Sequence, residues 1–173
     1  SSMVYGDFAD DTNENANCYP IGQYGILKLT GENLVKDYHR RGIFDYVVIR
    51  PSAVYGPLDV TDRVLSKFVI SAMHNNTLRV NGAGEKLDFT YIDDTSDGIV
   101  LACLNEVANN KTYNITRSES VTLLDAAKLI VETVGSGSIE ICDRDINFPS
   151  RGSLNIDKAR NELNFDPKIS LVE

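Results

Sequence analysis

The sequence has few of the side chains that bind metals or form disulfides. It contains three cysteines and two histidines in 173 residues, and Cys18, Cys103 and Cys142 form no CxxC pair. Widely spaced cysteines in an odd number argue against a disulfide framework and favour reduced, small core residues. His39 and His74 stand near neither a cysteine nor an acidic pair at ligand spacing, so we expect no metal site.

Positive charge and long apolar runs are also missing. The formal net charge of −8 leaves no basic stripe along the chain, which argues against nucleic acid as a partner. No apolar run is long enough to span a bilayer, and the stretch SSMVYGDF has neither the basic nor the apolar region of a signal peptide. We therefore expect a cytoplasmic protein that does not associate with membranes.

What is present is the composition of a globular domain, with 42% hydrophobic and 24% charged residues. Helical and strand-like periodicities alternate along the chain, which predicts an α/β fold. Thr122 and Asp125 resemble a capping box at a helix start, and Gly135 marks the end of that helix. We predict helices over residues 23–41 and 62–74, from about 93, and over 122–134 and 156–163. We predict strands over residues 44–50, 78–80, 88–92, 112–115 and 139–142.

Tyr24 and Lys28 stand four residues apart in the first predicted helix. At about 100° per residue they fall on one face, at an apolar arc, and we expect both to point inward or into a cleft. A nearby ammonium favours the phenolate form of a tyrosine, so the pair could take a proton from an alcohol as a hydride leaves the same carbon. By itself the pair fits another interpretation equally well. Tyr24 could have no catalytic role, and Lys28 could lie at the helix edge with its ammonium in solvent. The apolar arc consists of Leu27, Gly31, Leu34, Val35 and Tyr38.

Several short motifs surround this pair in a fixed order. They are SSMVYGD (1–7), YGILK (24–28), RPSAVYGP (50–57), GAGEKLDFTYIDD (82–94), TYNI (112–115) and PSRG (149–152). In this order and at these distances they resemble the extended short-chain dehydrogenase/reductase family, specifically its NAD-dependent nucleotide-sugar epimerases and dehydratases. The resemblance covers essentially the whole chain. It implies a Rossmann-type doubly wound parallel sheet with a smaller mixed α/β substrate-binding part.

The resemblance implies a role for each matching position. Ser1 would hydrogen-bond the reacting sugar oxygen, Tyr24 would be the catalytic base and acid, and Lys28 would hold the nicotinamide ribose and favour the phenolate. Pro51 and Ser52 would lie against the nicotinamide. The cofactor would be NAD, with NADP as the alternative, the substrate a nucleotide sugar, and the full-length protein a homodimer. The cations expected to face the substrate diphosphate are Arg63, Arg79, Lys86 and Arg151.

Some positions depart from the pattern of the family. Ser2 and Met3 stand where dehydratases tend to carry an Asp-Glu pair that eliminates water, which disfavours a 4,6-dehydratase. We therefore expect an epimerase, which removes a hydride to form a keto-sugar and returns it to the other face. The alternatives are a reductase, decarboxylase or dehydratase of the same family, and a non-catalytic module that binds sugar nucleotides. The other departures are Ala53 for an asparagine, Leu87 for an arginine and Leu27 for a serine.

The glycine-rich turn of the family is absent from the sequence. Family members begin with a strand, a GxxGxxG turn and a helix whose N-terminus receives the cofactor pyrophosphate. We therefore expect the chain to be the C-terminal portion of a longer enzyme and to be inactive when isolated, with the apolar arc of the first helix exposed. Residues 1–57 would be the remnant of the dinucleotide-binding domain. Residues 58–173 would mainly bind substrate, with residues 88–115 partly returning to the Rossmann core.

Overall fold

The computed structural model describes residues 1–59 and 62–172, which form an α/β structure. The α-helices in these residues are α1 (Gly22–Arg40), α2 (Val64–Met73), α3 (Ile92–Leu104), α4 (Leu123–Val134) and α5 (Asp157–Leu163). The strands are β1 (Val47–Arg50), β2 (Ala53–Tyr55), β3 (Thr77–Asn81), β4 (Lys86–Tyr91), β5 (Lys111–Asn114), β6 (Ser120–Thr122) and β7 (Ser138–Cys142). Short 3₁₀ turns cover Ser2–Val4 and Glu106–Ala108.

The strands pair in three small sheets. Strand β1 pairs in parallel with β5, which brings residues 111–114 back beside the first strand. Strand β4 lies between β2, which runs parallel to it, and β6, which runs antiparallel. Strand β3 pairs in parallel with β7. Parallel pairs joined through intervening helices are typical of α/β layer structures.

Helix α4 shows how local sequence sets the boundaries of these elements. The Thr122 hydroxyl accepts a hydrogen bond from the Asp125 amide at 3.0 Å, which is the predicted N-terminal cap. Gly135 adopts a left-handed conformation with φ of 77°, which ends the helix where the sequence predicts. The buried Ala127 packs against residues of α2 and β3, including Phe68 and Leu78. The helix therefore begins and ends for the reasons that its sequence shows.

Strands β2 and β6 were not predicted. Each has three residues, too few to show an alternating or continuous apolar pattern. Strand β2 lies within the stretch RPSAVYGP, whose proline and glycine residues are typical of a loop. Strand β6 becomes a strand only by pairing with β4, which the sequence does not reveal.

The cysteines lie less deeply than predicted. All three thiols are free, but Cys103 is exposed and Cys18 and Cys142 are half-buried. The prediction that the cysteines are core residues is therefore wrong for Cys103. Among the described residues, no group of three or more His, Cys, Asp or Glu side chains could hold a metal ion. Within the same residues, the helices are too short or too polar to cross a membrane.

Helix α1 presents its apolar arc to solvent. Tyr24 is 56% exposed, Leu27 70% and Leu34 54%. Glu32, which the periodicity places on the solvated side, is instead buried against Arg50. The apolar arc of α1 therefore does not point inward within this chain. It is exposed, as we expect for a chain that lacks the glycine-rich part of the family fold.

Candidate active site

One cleft of about 920 Å³ collects most of the residues that the sequence singled out. Its volume lies in the range of sites that bind small molecules and cofactors. Lys28 and Pro51 do not line the cleft. Lys28 lies beside the ring of Tyr24 and Pro51 precedes Ser52, and both Tyr24 and Ser52 line it. The predicted residues in its lining are Ser1, Tyr24, Ser52, Arg63, Arg79, Lys86 and Arg151.

Ser1 lies beside the carboxyl end of β1. Its backbone nitrogen donates a hydrogen bond to the Ile49 carbonyl at 3.2 Å, and the Ser2 amide donates to the Pro51 carbonyl at 2.8 Å. The Ser2 hydroxyl also donates to the Ser52 hydroxyl at 3.4 Å. These contacts bring Ser1 and Ser52 together at the end of a parallel strand, which is where open α/β sheets bind their ligands.

Tyr24 and Lys28 share one face of α1, as their spacing predicts. The Lys28 ammonium lies 5.3 Å from the centroid of the Tyr24 ring. Tyr24 lines the cleft while more than half of it remains exposed, and Lys28 is exposed. Tyr24 is therefore part of the cleft wall, and the Lys28 ammonium lies outside the cleft lining, beside the Tyr24 ring.

Gly25 allows α1 to approach the 3₁₀ turn that follows Ser1. A Cβ atom on Gly25 would lie 2.5 Å from the Met3 carbonyl oxygen and 2.9 Å from the Pro20 Cβ. Both distances are shorter than van der Waals contact, so only glycine fits without movement of the helix. This close packing places Tyr24 beside the turn that carries Ser1 into the cleft.

Two of the four predicted cations are already paired with carboxylates. Arg79 lies 3.3 Å from Glu140 through its Nε atom, and both side chains are exposed. Lys86 lies 2.7 Å from Asp10. Exposed ion pairs contribute little energy and exchange readily with solvent, so neither pair prevents a ligand from contacting the cation.

Arg151 is the cation best placed to bind an anion. It is half-buried in the cleft, where burial lowers the pKa of its guanidinium and the charge of Glu85 opposes that effect. Its Nη1 atom donates to the Met3 sulfur at 3.8 Å, and no carboxylate in residues 1–59 and 62–172 forms an ion pair with it. A guanidinium in this state would gain charge-assisted hydrogen bonds from an anionic ligand. Arg63 is exposed at the edge of the same cleft.

A buried network behind the cleft was not predicted. Arg50 donates to the two carboxylate oxygens of Glu32 at 3.0 and 2.7 Å and to the Tyr5 hydroxyl at 2.9 Å. The Tyr5 hydroxyl donates to Asn114 Oδ1 at 2.8 Å, and burial raises the pKa of Tyr5 to about 12. The network joins α1 to β1 and β5. The only sign of this network in the sequence is Arg50, a charged residue at the end of the apolar run FDYVVIR.

Asp88 is a fully buried carboxyl group in the strand that forms one wall of the cleft. Its neighbours Leu87 and Phe89 line the cleft, and Asp88 is 0% exposed. One of its carboxyl oxygens accepts a hydrogen bond from the Leu154 amide at 3.1 Å. Burial raises its pKa from the ordinary 3.8 to about 6, and the amide hydrogen bond only partly opposes this.

As the pH rises from about 4 to about 7, the unfolding free energy of Asp88→Asn should increase relative to that of the wild type. The unfolded chain releases the Asp88 proton at a lower pH than the folded protein, so Asp88 removes stability across this window. A shift of about two pKa units corresponds to about 3 kcal/mol. Unfolding free energies measured for both proteins between these pH values would test this, with the exposed Asp97→Asn as a control. A wild-type to variant difference that stays constant with pH would contradict the prediction.

Known proteins resemble this chain along its whole length. A sequence model of the NAD dependent epimerase/dehydratase family matches residues 1–116. The chain is 31% identical over 175 residues to the uncharacterized UDP-glucose epimerase YtcB of Bacillus subtilis (strain 168), covering 100% of this chain and 55% of that protein. It is 31% identical over 183 residues to UDP-glucuronic acid decarboxylase 1 of Arabidopsis thaliana, covering 100% of this chain and 42% of that protein.

A solved structure shows the same fold. The crystal structure of UDP-glucuronic acid 4-epimerase from Bacillus cereus, in complex with UDP-glucuronic acid and NAD, matches with a TM-score of 0.93 at 28% identity. The match covers 99% of this chain and 56% of that chain. The Rossmann-type α/β fold predicted from the sequence is therefore confirmed. The chain spans about half the length of the relatives that it matches.

Proposed function

Because the chain belongs to the NAD dependent epimerase/dehydratase family, we propose that the protein that carries it is an NAD-dependent nucleotide-sugar epimerase. The observation that carries the proposal is one cleft that is lined by Ser1, Tyr24 and Arg151. It brings a hydroxyl donor, a proton carrier and an unpaired cation to one small-molecule site. No carboxylate pair follows Ser1, since the next residues are Ser2 and Met3, which supports epimerisation over dehydration.

The residues of this chain fit one end of NAD. Tyr24 and Ser52 line the cleft, with Lys28 beside the tyrosine ring. These residues would hold the nicotinamide and its ribose. No glycine-rich strand-turn-helix for the cofactor pyrophosphate occurs in the described residues, so we expect the isolated chain to be inactive. When bound, NAD would supply the acceptor for a hydride from a carbon of the sugar and the donor for its return.

The side chains of the cleft move the proton and hold the substrate. Tyr24, acting as the base, takes the proton from the sugar hydroxyl and later gives it back as the acid, with the Lys28 ammonium 5.3 Å from the centroid of its ring. The Ser1 hydroxyl orients the reacting oxygen with a hydrogen bond. Arg151 and Lys86 bind the diphosphate of the substrate, which fixes the sugar against the reacting groups.

Decarboxylation of a nucleotide-linked uronic acid is the second candidate. It is favoured by the 31% identity to UDP-glucuronic acid decarboxylase 1 of Arabidopsis thaliana. The two reactions share the initial removal of a hydride and a proton, so Ser1, Tyr24 and Lys28 would have the same roles in both. They differ in whether the carbon skeleton of the sugar is retained.

Product analysis with the full-length protein distinguishes these outcomes. Purified protein is incubated with NAD and a panel of UDP- and dTDP-linked hexoses and uronic acids, and the products are identified by mass and by NMR. We expect a stereoisomer with the same mass as its substrate. A product that has lost carbon dioxide would favour the decarboxylase, loss of water would favour a dehydratase, and binding with no product would favour a non-catalytic module.

A further inference from the structure

Two distant segments, residues 7–12 and 150–155, are joined by hydrogen bonds on both sides of Arg151. These bonds tie the loop that follows Ser1 to the segment that carries Arg151. The bonds include Phe8 N to Ser150 O (3.0 Å), Ser150 N to Asp7 Oδ1 (2.7 Å), Asp11 N to Ser153 Oγ (3.1 Å), Thr12 N to Ser153 O (3.2 Å) and Asn155 N to Thr12 O (2.9 Å).

The backbones of the two segments pack tightly next to Arg151. A Cβ atom on Gly152 would lie 2.3 Å from the Asp10 backbone nitrogen and 2.4 Å from the Ala9 carbonyl carbon. The segments therefore touch through their backbones at this point. The position of Arg151 along the cleft consequently depends on the loop of residues 7–12.

Asp10 lies at the centre of this junction and binds three partners. One carboxylate oxygen accepts from the Lys86 ammonium at 2.7 Å. The other accepts from the Ser153 amide at 2.9 Å and from the Ser120 hydroxyl at 2.7 Å. The hydrogen bonds from Lys86 and Ser120 lower the pKa of Asp10 to about 2, so the carboxylate is charged at neutral pH.

We propose that Asp10 is a positioning residue for the anion-binding part of the cleft. One of its oxygens orients Lys86, and the other fixes the segment of Arg151 through the Ser153 amide, so that both cations face one nucleoside diphosphate. The inference rests on the proposed function and adds a residue that itself lies outside the lining of the cleft. Lys86 has three N–H donors, so its bond to Asp10 leaves two for a phosphate oxygen.

Two possible roles of Asp10, neutralising Lys86 and positioning the cations, predict opposite effects of its removal on anion binding. If the carboxylate only neutralised Lys86, its removal would raise the positive charge of the cleft and tighten the binding of an anion. If it positions the cations, its removal weakens that binding because Lys86 and the segment of Arg151 lose a shared anchor. A variant that removes the charge and keeps the size, Asp10→Asn, distinguishes the two.

Binding of UDP, dTDP and GDP to the full-length protein, measured by calorimetry, provides the test. For the diphosphate that binds the wild type best, we expect Asp10→Asn to raise Kd by about tenfold, as for loss of one charge-assisted hydrogen bond. KM for the matching nucleotide sugar should rise by a similar factor, with kcat changed less than about threefold. In a Lys86→Met background, the effect of Asp10→Asn on Kd should be smaller than in the wild type.

Asp11→Asn is the matched control. Asp11 belongs to the same junction, accepts a hydrogen bond from the Asn155 amide group at 2.8 Å, and contacts neither cation. Its φ of 63° is a conformation that asparagine adopts readily. We expect its Kd to equal that of the wild type, with thermal unfolding confirming that both variants are folded.

Three results would overturn the inference. Unchanged or tighter binding by Asp10→Asn would remove the positioning role and leave the proposed function intact. Equal weakening by Asp11→Asn would assign the effect to the stability of the junction. A wild-type protein that binds none of the three diphosphates would overturn both the inference and the proposed function.

Discussion

Replacing Tyr24 with phenylalanine should lower the kcat of the full-length enzyme by about 10²–10⁴-fold, the range that general acid-base catalysis contributes. Phenylalanine keeps the ring that lines the cleft next to the Lys28 ammonium. It removes only the hydroxyl that, in our proposal, carries the proton. Substrate affinity should change little, because we propose that cations elsewhere in the cleft bind the diphosphate. Steady-state kinetics with the substrate identified by product analysis gives both parameters.

Tyr38→Phe is the matched control for this experiment. Tyr38 lies on the same helix, its ring centroid is 5.5 Å from that of Phe44, and it does not line the cleft. We expect wild-type turnover from this variant. Wild-type turnover from Tyr24→Phe as well would remove Tyr24 from the chemistry, and ligand binding that is indifferent to both Tyr24→Phe and NAD would support a binding module.

The sequence predicts the helices of this fold better than its short strands. The predicted helix over residues 122–134 matches α4 closely because its cap, apolar stripe and terminal glycine are all local signals. Strands β2 and β6 escape prediction because a three-residue strand is defined by its partner, here β4. Local periodicity therefore identifies elements that are stable by their own pattern and misses those that pairing creates.

The same distinction applies to the cleft. The shared face of Tyr24 and Lys28 follows from helix geometry, so their spacing is enough to predict it. The pairing of Lys86 with Asp10 spans 76 positions in sequence and depends on how distant loops meet. The periodicity of α1 places Glu32 on the solvated side for a related reason. Periodicity shows which face of a helix is apolar and gives no information about what packs on the other face.

Glu32→Gln should lower the free energy of unfolding by about 3–5 kcal/mol, the cost of removing one partner of a buried ion pair. Arg50 is 3% exposed and Glu32 7%, and two hydrogen bonds of 3.0 and 2.7 Å join them. Burial alone would lower the pKa of Arg50, but the hydrogen bonds to Glu32 outweigh it and the pKa is raised. Glutamine would therefore leave a charged guanidinium in the interior without a counter-ion. Chemical denaturation of the full-length protein measures the loss.

Two further variants identify the buried charge as the cause. Asp37 lies on the same helix but forms its ion pairs with Arg40 and Arg41 at the surface, where solvent screens them, so Asp37→Asn should cost much less stability than Glu32→Gln. The double variant Glu32→Leu, Arg50→Met removes both charges and should recover most of the stability lost in Glu32→Gln. The double variant could instead be less stable than Glu32→Gln. In that case the hydrogen bonds of Arg50 to Glu32 and Tyr5 would stabilise the junction of α1 and β1, in addition to cancelling the two buried charges.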